Sequence, residues 1–451
     1  MSSKWIMAGI AAAGIFGNAA WAEAVERSLR PKARVVTPSD AEQAQVAVAS
    51  RGGLRVSLRP QVRPALMEAS EPADLVRASS RPAAFESWIR SFRGRALAQG
   101  ISPAVFDAAF RNVGYNADVV SKDRNQAEFK NEIWDYLDNA ASPPRVSEGQ
   151  SALRRHRGTL NRLESAYGVE AHVVTAVWGL ESRYGTRMGD YPIIEALATL
   201  AFDGRRGKFF ESQLIAALKI LQSGDVRLGD FTGSWAGAMG HTQFIPTSYL
   251  AFAVDYTGDG KRDIWSRDPS DALASTAAYL RRSGWVRGMP WGVEVRVPQG
   301  LSSTGGSRMP SQWAQLGVVG MDGRPVRDFG SARLLLPAGR GGAAFLVFKN
   351  FDVIKRYNNS DAYALGVGHL SDRIAGGAPI QTAWPRGYTP ISFDEKMELQ
   401  RRLKRKGYPL EKIDGLVGPN TREAIAAYQR SVGMRPDGNA SREVLESLRR
   451  R

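Results

Sequence analysis

The chain has no cysteine in its 451 residues. That excludes disulfides, thiol nucleophiles, cysteine-held metals and lipid attachment through a processed cysteine. Histidine is nearly as scarce. His156, His172, His241 and His369 are the four, and none falls into the H-E-x-x-H pattern of a zinc site, so a catalytic metal is not expected. There is no G-x-S-x-G elbow for a serine hydrolase and no P-loop, and the isolated Gly366-x-Gly368 specifies little. Acidic residues are outnumbered, which leaves a net charge of +16. Such a field favours polyanionic partners, either nucleic acid or a wall polymer bearing free carboxylates, although much of it is ordinary solvated surface.

Long apolar runs are missing too. The run from Ile6 to Phe16 is too short to span a bilayer. It follows a basic start at Lys4 and precedes Ala20-Trp-Ala22, a small-x-small cleavage pattern. Residues 1–22 are therefore expected to be a signal peptide, with a mature start at Glu23. The implied address is the periplasm, as a soluble protein with no membrane anchor, and export argues against a nucleic-acid partner. Residues 23–82 are rich in Arg, Ala, Pro and Ser without a sustained period and read as a basic, mostly disordered linker.

A helical pattern then begins. Phe85, Trp88, Ile89 and Phe92 mark an amphipathic helix, Ser102-Pro103 opens a second, and Glu128 to Leu137 carries a third. Helical periods dominate to about residue 284. Val293-Glu-Val-Arg-Val297 alternates with period two and Ala343 to Phe348 is a short apolar run, so residues 286–350 are expected to hold a small sheet. Helical signal returns through Tyr363 and His369. Residues 383–392 read as a proline-bearing linker, and residues 393–449 form a compact unit with a weak internal repeat. Asp414-Gly415 leads to Thr421-Arg-Glu-Ala-Ile425, and Asp437-Gly438 leads to Ser441-Arg-Glu-Val-Leu445. Asn420 with Glu423 suits a capping box. Leu399, Leu403, Ile425, Val444 and Leu448 are the expected core of this unit.

Glu181 carries the chemistry. It ends an apolar helical stretch, in Trp178-Gly-Leu-Glu-Ser-Arg-Tyr-Gly185, and on a helix Val173, Val174 and Val177 share its face. Desolvation disfavours an ionised carboxyl, so a Glu placed here is expected to keep a proton that it can donate to a glycosidic oxygen. The competing reading is a buried Glu paired with Arg183 or another arginine. Most glycosidases use a second carboxylate. Asp190, Asp203 and Glu211 are the nearest candidates, and the latter two are expected to pair with Arg205, Arg206 or Lys208 instead. A single carboxylate points to a substrate that supplies its own nucleophile, as the 6-hydroxyl of N-acetylmuramic acid can.

The segments Trp178 to Gly185 and Ser234-Trp-Ala-Gly-Ala-Met-Gly-His-Thr-Gln-Phe-Ile-Pro-Thr-Ser-Tyr249 closely resemble the lytic murein transglycosylase B family. So do Asn125-Gln-Ala-Glu-Phe129, Trp134-Asp-Tyr136 and Arg356-Tyr-Asn-Asn-Ser-Asp-Ala-Tyr363. The resemblance covers residues 83–382. It implies a mainly α, lysozyme-like catalytic domain with a helical subdomain and a small β insert. It also implies non-hydrolytic cleavage of the MurNAc–GlcNAc bond in peptidoglycan to give 1,6-anhydro-MurNAc ends. On it, Glu181 is acid and then base, and Ser234 orients its carboxyl. Met239 and Gln243 line the acetamide subsite, Gln243 bonding from both ends. Tyr357 and Asn358 lie near the cleaved bond, and Tyr136, Tyr279 and Tyr363 line the cleft. The pattern departs from the family at His241-Thr242, where an aromatic residue and a Gly are usual. His241 either adds a polar contact to the cleft or fills space. A lysozyme-like hydrolase using water and a non-catalytic wall-binding protein are the alternatives.

Asp255-Tyr-Thr-Gly-Asp-Gly-Lys-Arg-Asp263 looks like the start of an EF-hand loop. Asp255, Thr257 and Asp259 hold its first, third and fifth positions, Lys261 offers its carbonyl, and the resemblance implies closure by Asp271. A structural calcium ion is the expected occupant, with no cofactor needed for catalysis; a plain Gly-Asp-Gly turn without an ion is the other reading. Residues 393–449 resemble the three-helix peptidoglycan-binding domain of cell-wall hydrolases. Peptidoglycan glycan strands are the expected partner of a monomer, with other cell-wall enzymes as further partners.

Overall fold

A computed structural model describes residues 83–124, 132–299, 301 and 305–450. The signal-peptide and linker readings of residues 1–82 and the Asn125 to Phe129 motif lie outside the described residues. The first two predicted helices stand; the third, expected from Glu128 to Leu137, runs Ile133–Ala140, and residues 128–131 lie outside the described residues. Ala83–Ala98 buries Phe85, Ile89, Phe92 and Ala96 along one stripe. Pro103–Phe110 starts with Pro at its first position, and the Ser102 hydroxyl accepts from the Val105 amide. Aromatic packing of Phe85, Phe92, Phe106, Phe110 and Phe202 locks these helices to Ile193–Asp203.

At the centre runs Ala171–Ser182, against Pro143–Arg155, Arg157–Tyr167, Ser270–Arg282 and Asp361–Ile374. Valine was expected to bury one stripe of this helix. In fact every residue from Val173 to Gly179 is buried, because helices cover it on all sides; His172 near its start and Leu180 and Glu181 near its end are partly exposed before Ser182 closes it. Among the described residues no helix is long and apolar enough to cross a membrane.

The insert holds an antiparallel sheet of order β4-β6-β7-β3-β5, from β3 Gly292–Arg296, β4 Ser307–Arg308, β5 Val319–Gly320, β6 Ala332–Leu335 and β7 Ala344–Val347. The predicted strands are β3 and β7. β7 reads as an unbroken apolar run because all four of its residues are buried. A second ladder, β1 Tyr191–Pro192 with β2 Thr232–Gly233, pins the loop that begins at Ser234.

The C-terminal unit is three helices, Phe393–Arg405, Pro419–Ser431 and Arg442–Arg450, around the expected core residues, each at most 1% exposed. Its repeat has a physical basis. The Gln400 side chain accepts from the Asp414 and Gly415 amides, and Gln429 accepts from the Gly438 amide while donating to Asp437. Asn420 is not the cap: Gly418 holds that place, because Pro419 supplies the first helical residue. The 383–392 stretch, expected as a linker, is packed down. Trp384 and Tyr388 flank Trp134, Arg386 pairs with Asp138, and the Thr389 carbonyl accepts from the Arg442 amide. Glu132 lies between Lys396, at 3.5 Å, and Arg422, at 4.0 Å.

Two groups on Asp361–Ile374 titrate in opposition. Burial holds the Asp372 carboxyl up at about 6, against a hydrogen bond from the Trp291 indole at 2.9 Å. Burial, helped by Arg373 and opposed by Glu294, presses His369 down to about 4. A raised carboxyl stabilises the fold below its unfolded value of 3.8 and loses that contribution as pH rises through about 6. A depressed imidazole contributes above 6.5 and loses it as pH falls through about 4. The two slopes nearly cancel between these values. Measured against the wild-type profile, Asp372→Asn is therefore expected to tilt the melting temperature upward with pH across this window, and His369→Gln to tilt it downward. Each imbalance is worth about 2–3 kcal/mol, and thermal melts at stepped pH read it directly.

Candidate active site

The Glu181 helix ends abruptly. Arg183 and Tyr184 are both left-handed, at φ 49° and 57°, before Gly185 at 85°. Two consecutive non-glycine residues there cost about 1–2 kcal/mol each, so the surroundings must hold them. Arg183 forks onto Glu148 at 2.9 and 2.6 Å, which holds the Glu148 carboxyl below its ordinary value. The Tyr184 hydroxyl donates to the Arg145 carbonyl at 2.8 Å, and burial pushes that phenol well above its ordinary value. The Ser182 hydroxyl accepts from the Gly185 amide. Nothing in the sequence announces this strain.

The break leaves Glu181 half-buried at the helix end. Its Oε1 accepts from the Tyr363 hydroxyl at 2.7 Å, while Arg183 serves Glu148. Tyr363 is set by a helix whose first turn is capped by the Ser360 hydroxyl. Its ring lies parallel to Tyr357 at 6.5 Å, and Tyr357 meets Tyr279 edge-on at 4.8 Å. Asn358 follows Tyr357 at the end of Lys349–Tyr357, half-buried. Tyr136 is also half-buried, against Gly366 where an added Cβ would strike its ring.

The facing loop is built on small residues because backbone approaches backbone. Ser234 and Ala238 exchange main-chain and side-chain bonds: Ser234 N donates to Ala238 O at 2.8 Å, and Ser234 Oγ accepts from Ala238 N at 3.0 Å. Met239 bridges to both Gly233 and Phe244. That bridging turns its side chain into the core with no exposed surface, so it supports the floor and does not line an open subsite. Gln243 is left-handed, at φ 54°, and its amide protons go to Met188 O at 2.9 Å and Gly240 O at 2.8 Å. Two-ended bonding to an acetamide is thereby reduced to its Oε1. Tyr363, expected in the cleft, has a buried ring and a hydroxyl committed to Glu181. Tyr279, also expected there, and Tyr357, expected near the cleaved bond, are buried too, with hydroxyls committed elsewhere. Tyr279 donates to Arg356 O, and Tyr357 donates to Thr242 O at 2.7 Å. Core aromatic packing and a backbone acceptor explain both.

The other carboxylates near Glu181 in sequence are engaged differently from expectation. Asp203 pairs with Arg124, Glu211 with Arg95, and Arg205 and Arg206 both with the buried Asp123. His172, on the Glu181 helix, bonds Ser371.

In the acidic loop, Asp255 accepts from the Gly258 and Gly260 amides at 2.6 and 2.8 Å, and from the Thr257 hydroxyl. Asp259 accepts from the Lys261 amide. Asp271 accepts from the amides of Tyr256, Thr257 and Asp263, and burial, with Asp255 beside it, pushes its carboxyl up to about 6. Two buried, mutually repelling carboxyls of this kind suit a hard cation. Among the described residues, no group of three or more His, Asp or Glu side chains is gathered to hold one.

The family profile described as Transglycosylase SLT domain matches residues 84–372, and one for a peptidoglycan binding domain matches residues 394–448. The membrane-bound lytic murein transglycosylase B of Escherichia coli K12 is 34% identical over 247 residues, 53% of this chain; the chain spans 66% of that relative's length. The crystal structure of Pseudomonas aeruginosa SltB3 in complex with NAG-anhNAM-pentapeptide is similar at a TM-score of 0.77 and 48% identity, over 82% of this chain and all of that one. Escherichia coli Slt35 in complex with calcium is similar at 0.54 and 30%, over 65% of this chain and 93% of that one. With helices, insert and C-terminal unit in the places that these matches require, the chain belongs to the transglycosylase SLT domain family and carries a peptidoglycan-binding domain behind the catalytic one.

Proposed function

We propose that this protein is a peptidoglycan lytic transglycosylase in which Glu181 alone serves as acid and base. The observation that carries the reading is a half-buried carboxyl at a strained helix end, held at one oxygen by the Tyr363 hydroxyl. Glu181 gives its proton to the oxygen linking MurNAc to GlcNAc as that bond breaks. It then takes the proton of the muramyl 6-hydroxyl as that oxygen closes on the anomeric carbon, leaving a 1,6-anhydro end. Ion pairs that hold Asp203 and Glu211 elsewhere support a mechanism without either as a second carboxylate. SltB3 binding NAG-anhNAM-pentapeptide and NAG-NAM-pentapeptide supports the same substrate class here. Ser234, whose hydroxyl accepts from the Ala238 amide, keeps a proton with which to orient the carboxyl. Gln243 receives an acetamide N–H on Oε1. Tyr136 and Asn358 flank the sugars, Tyr363 holds the Glu181 carboxyl, and Tyr357, Tyr279 and Met239 are their support.

Domains at 83–382 and 393–449, export by a signal peptide over 1–22, a basic linker over 23–82 and a soluble periplasmic location complete the reading. Mass spectrometry of muropeptides released from purified peptidoglycan tests it. Anhydro-muramyl ends are expected; reducing ends would indicate a hydrolase, and no release a wall-binding protein.

The acidic loop takes calcium as a structural ion, through Asp255, Thr257, Asp259, the Lys261 carbonyl and Asp271. Its charge would offset the repulsion between Asp255 and Asp271. Calcium at 100 times its Kd is expected to add about 2.7 kcal/mol of stability, lost in Asp255→Asn. A melting temperature indifferent to calcium and chelator would refute the site.

A further inference from the structure

We infer that His241 is a positioning residue for Glu181, a strut that ties the Glu181 helix to the segment following the acidic loop; the inference rests on the acid/base reading of Glu181. Every polar group of this one residue is engaged. The indole of Trp178, three residues before Glu181, donates to its Nδ1 at 3.2 Å, and the hydroxyl of Ser182, one residue after, donates to its carbonyl. On the other side, its amide donates to Ile264 O at 2.9 Å and its Nε2 bonds Ser266 O at 2.7 Å. The Ser266 amide in turn donates to Asp263, whose own amide donates to Asp271. A continuous path of hydrogen bonds therefore joins the acidic loop to the two residues that bracket Glu181.

The tautomer follows from the donors. Indole N–H can only donate, so Nδ1 holds a lone pair and Nε2 carries the hydrogen that goes to Ser266. A second proton at Nδ1 would face the indole N–H. The ring is 5% exposed and edge-on to Trp178 at 5.7 Å. Gly185 makes room for it, since a Cβ there would strike the imidazole. Ring filling alone would be served by phenylalanine. What phenylalanine cannot supply is the pair of directed bonds that fixes where the helix end sits. A shift of about 1 Å at a reacting group costs on the order of 100-fold in rate.

The test uses the full chain with His241→Phe, His241→Asn and His241→Gln, assayed for anhydro-muropeptide release beside Glu181→Gln. Asn Oδ1 takes the place of Nδ1 and recovers the Trp178 arm. Gln Nε2 takes the place of the ring Nε2 and recovers the Ser266 arm. His241→Phe is expected to lower kcat at least 10-fold with KM within about twofold, and Asn and Gln to fall between it and wild type. Nitrogen NMR of the wild-type imidazoles is expected to show His241 protonated at Nε2 only at neutral pH. A Phe variant with wild-type kcat, or one better than both Asn and Gln, would overturn the strut, as would the opposite tautomer. If the Phe variant fails to fold, wild-type kcat in both Asn and Gln variants would overturn it equally. Activity surviving in Glu181→Gln would bring down the acid/base reading instead, and the NMR result would still judge the geometry.

Discussion

Glu181→Gln is expected to abolish release of anhydro-muropeptides, by at least about 10³-fold in kcat. One group performs two proton transfers in the proposed reaction, and each positioned transfer contributes on the order of 10²–10⁴. Glutamine retains the volume and can still accept from the Tyr363 hydroxyl at the position of Oε1, so binding to sacculi and the melting temperature should stay near wild type. Loss of turnover with retained binding separates chemistry from folding. A variant that still releases anhydro ends would mean that another group moves the protons, and every role assigned around Glu181 would have to be reassigned.

Gly189→Ala should be the most damaging small change away from the carboxyl. Gly189 has φ 88°, and an added Cβ would lie 2.7 Å from the Ser234 amide nitrogen and closer still to the Gly233 carbonyl. Both obstacles are backbone, so no rotamer relieves them. The left-handed conformation costs about 1–2 kcal/mol for alanine, and forcing the two segments apart adds about 1–3 kcal/mol. Together these reach about 2–5 kcal/mol, a large share of a stability of about 5–15 kcal/mol. The segment displaced is the start of the Ser234 loop, which also bears Gln243 and His241, so kcat should fall on the order of 100-fold even where the chain stays folded. Gly224→Ala is the control. It has φ 80° with nothing within 4 Å of a Cβ, and it should show the conformational cost alone with activity intact. Equal behaviour of the two variants would remove the argument that backbone contact, and not conformation, constrains position 189.

The sequence by itself determined where the helices lie, because the spacing of Phe85, Ile89 and Phe92, or of Leu399 and Leu403, allows one buried face. It marked Val293 to Val297 and Ala343 to Phe348 as strands, and only the structure put β7 in the middle of the sheet. It singled out Glu181 and the glycine-rich loop from residue types alone. Only the tertiary structure decided what each polar group faces. Arg183 turned to Glu148 because the chain breaks into left-handed backbone after Ser182. Tyr357 and Tyr279 spend their hydroxyls on carbonyls because their rings fill the core, and Tyr363, six residues beyond Tyr357 on the next helix, reaches Glu181. Asp123, unremarkable in sequence, gathers Arg205 and Arg206. His241, readable only as a departure from the family pattern, joins residues 178 and 182 to 264 and 266. Periodicity reports which face is apolar, and it carries no information about partners distant in sequence; those follow from which buried donors and acceptors the packed helices bring within 3 Å of one another.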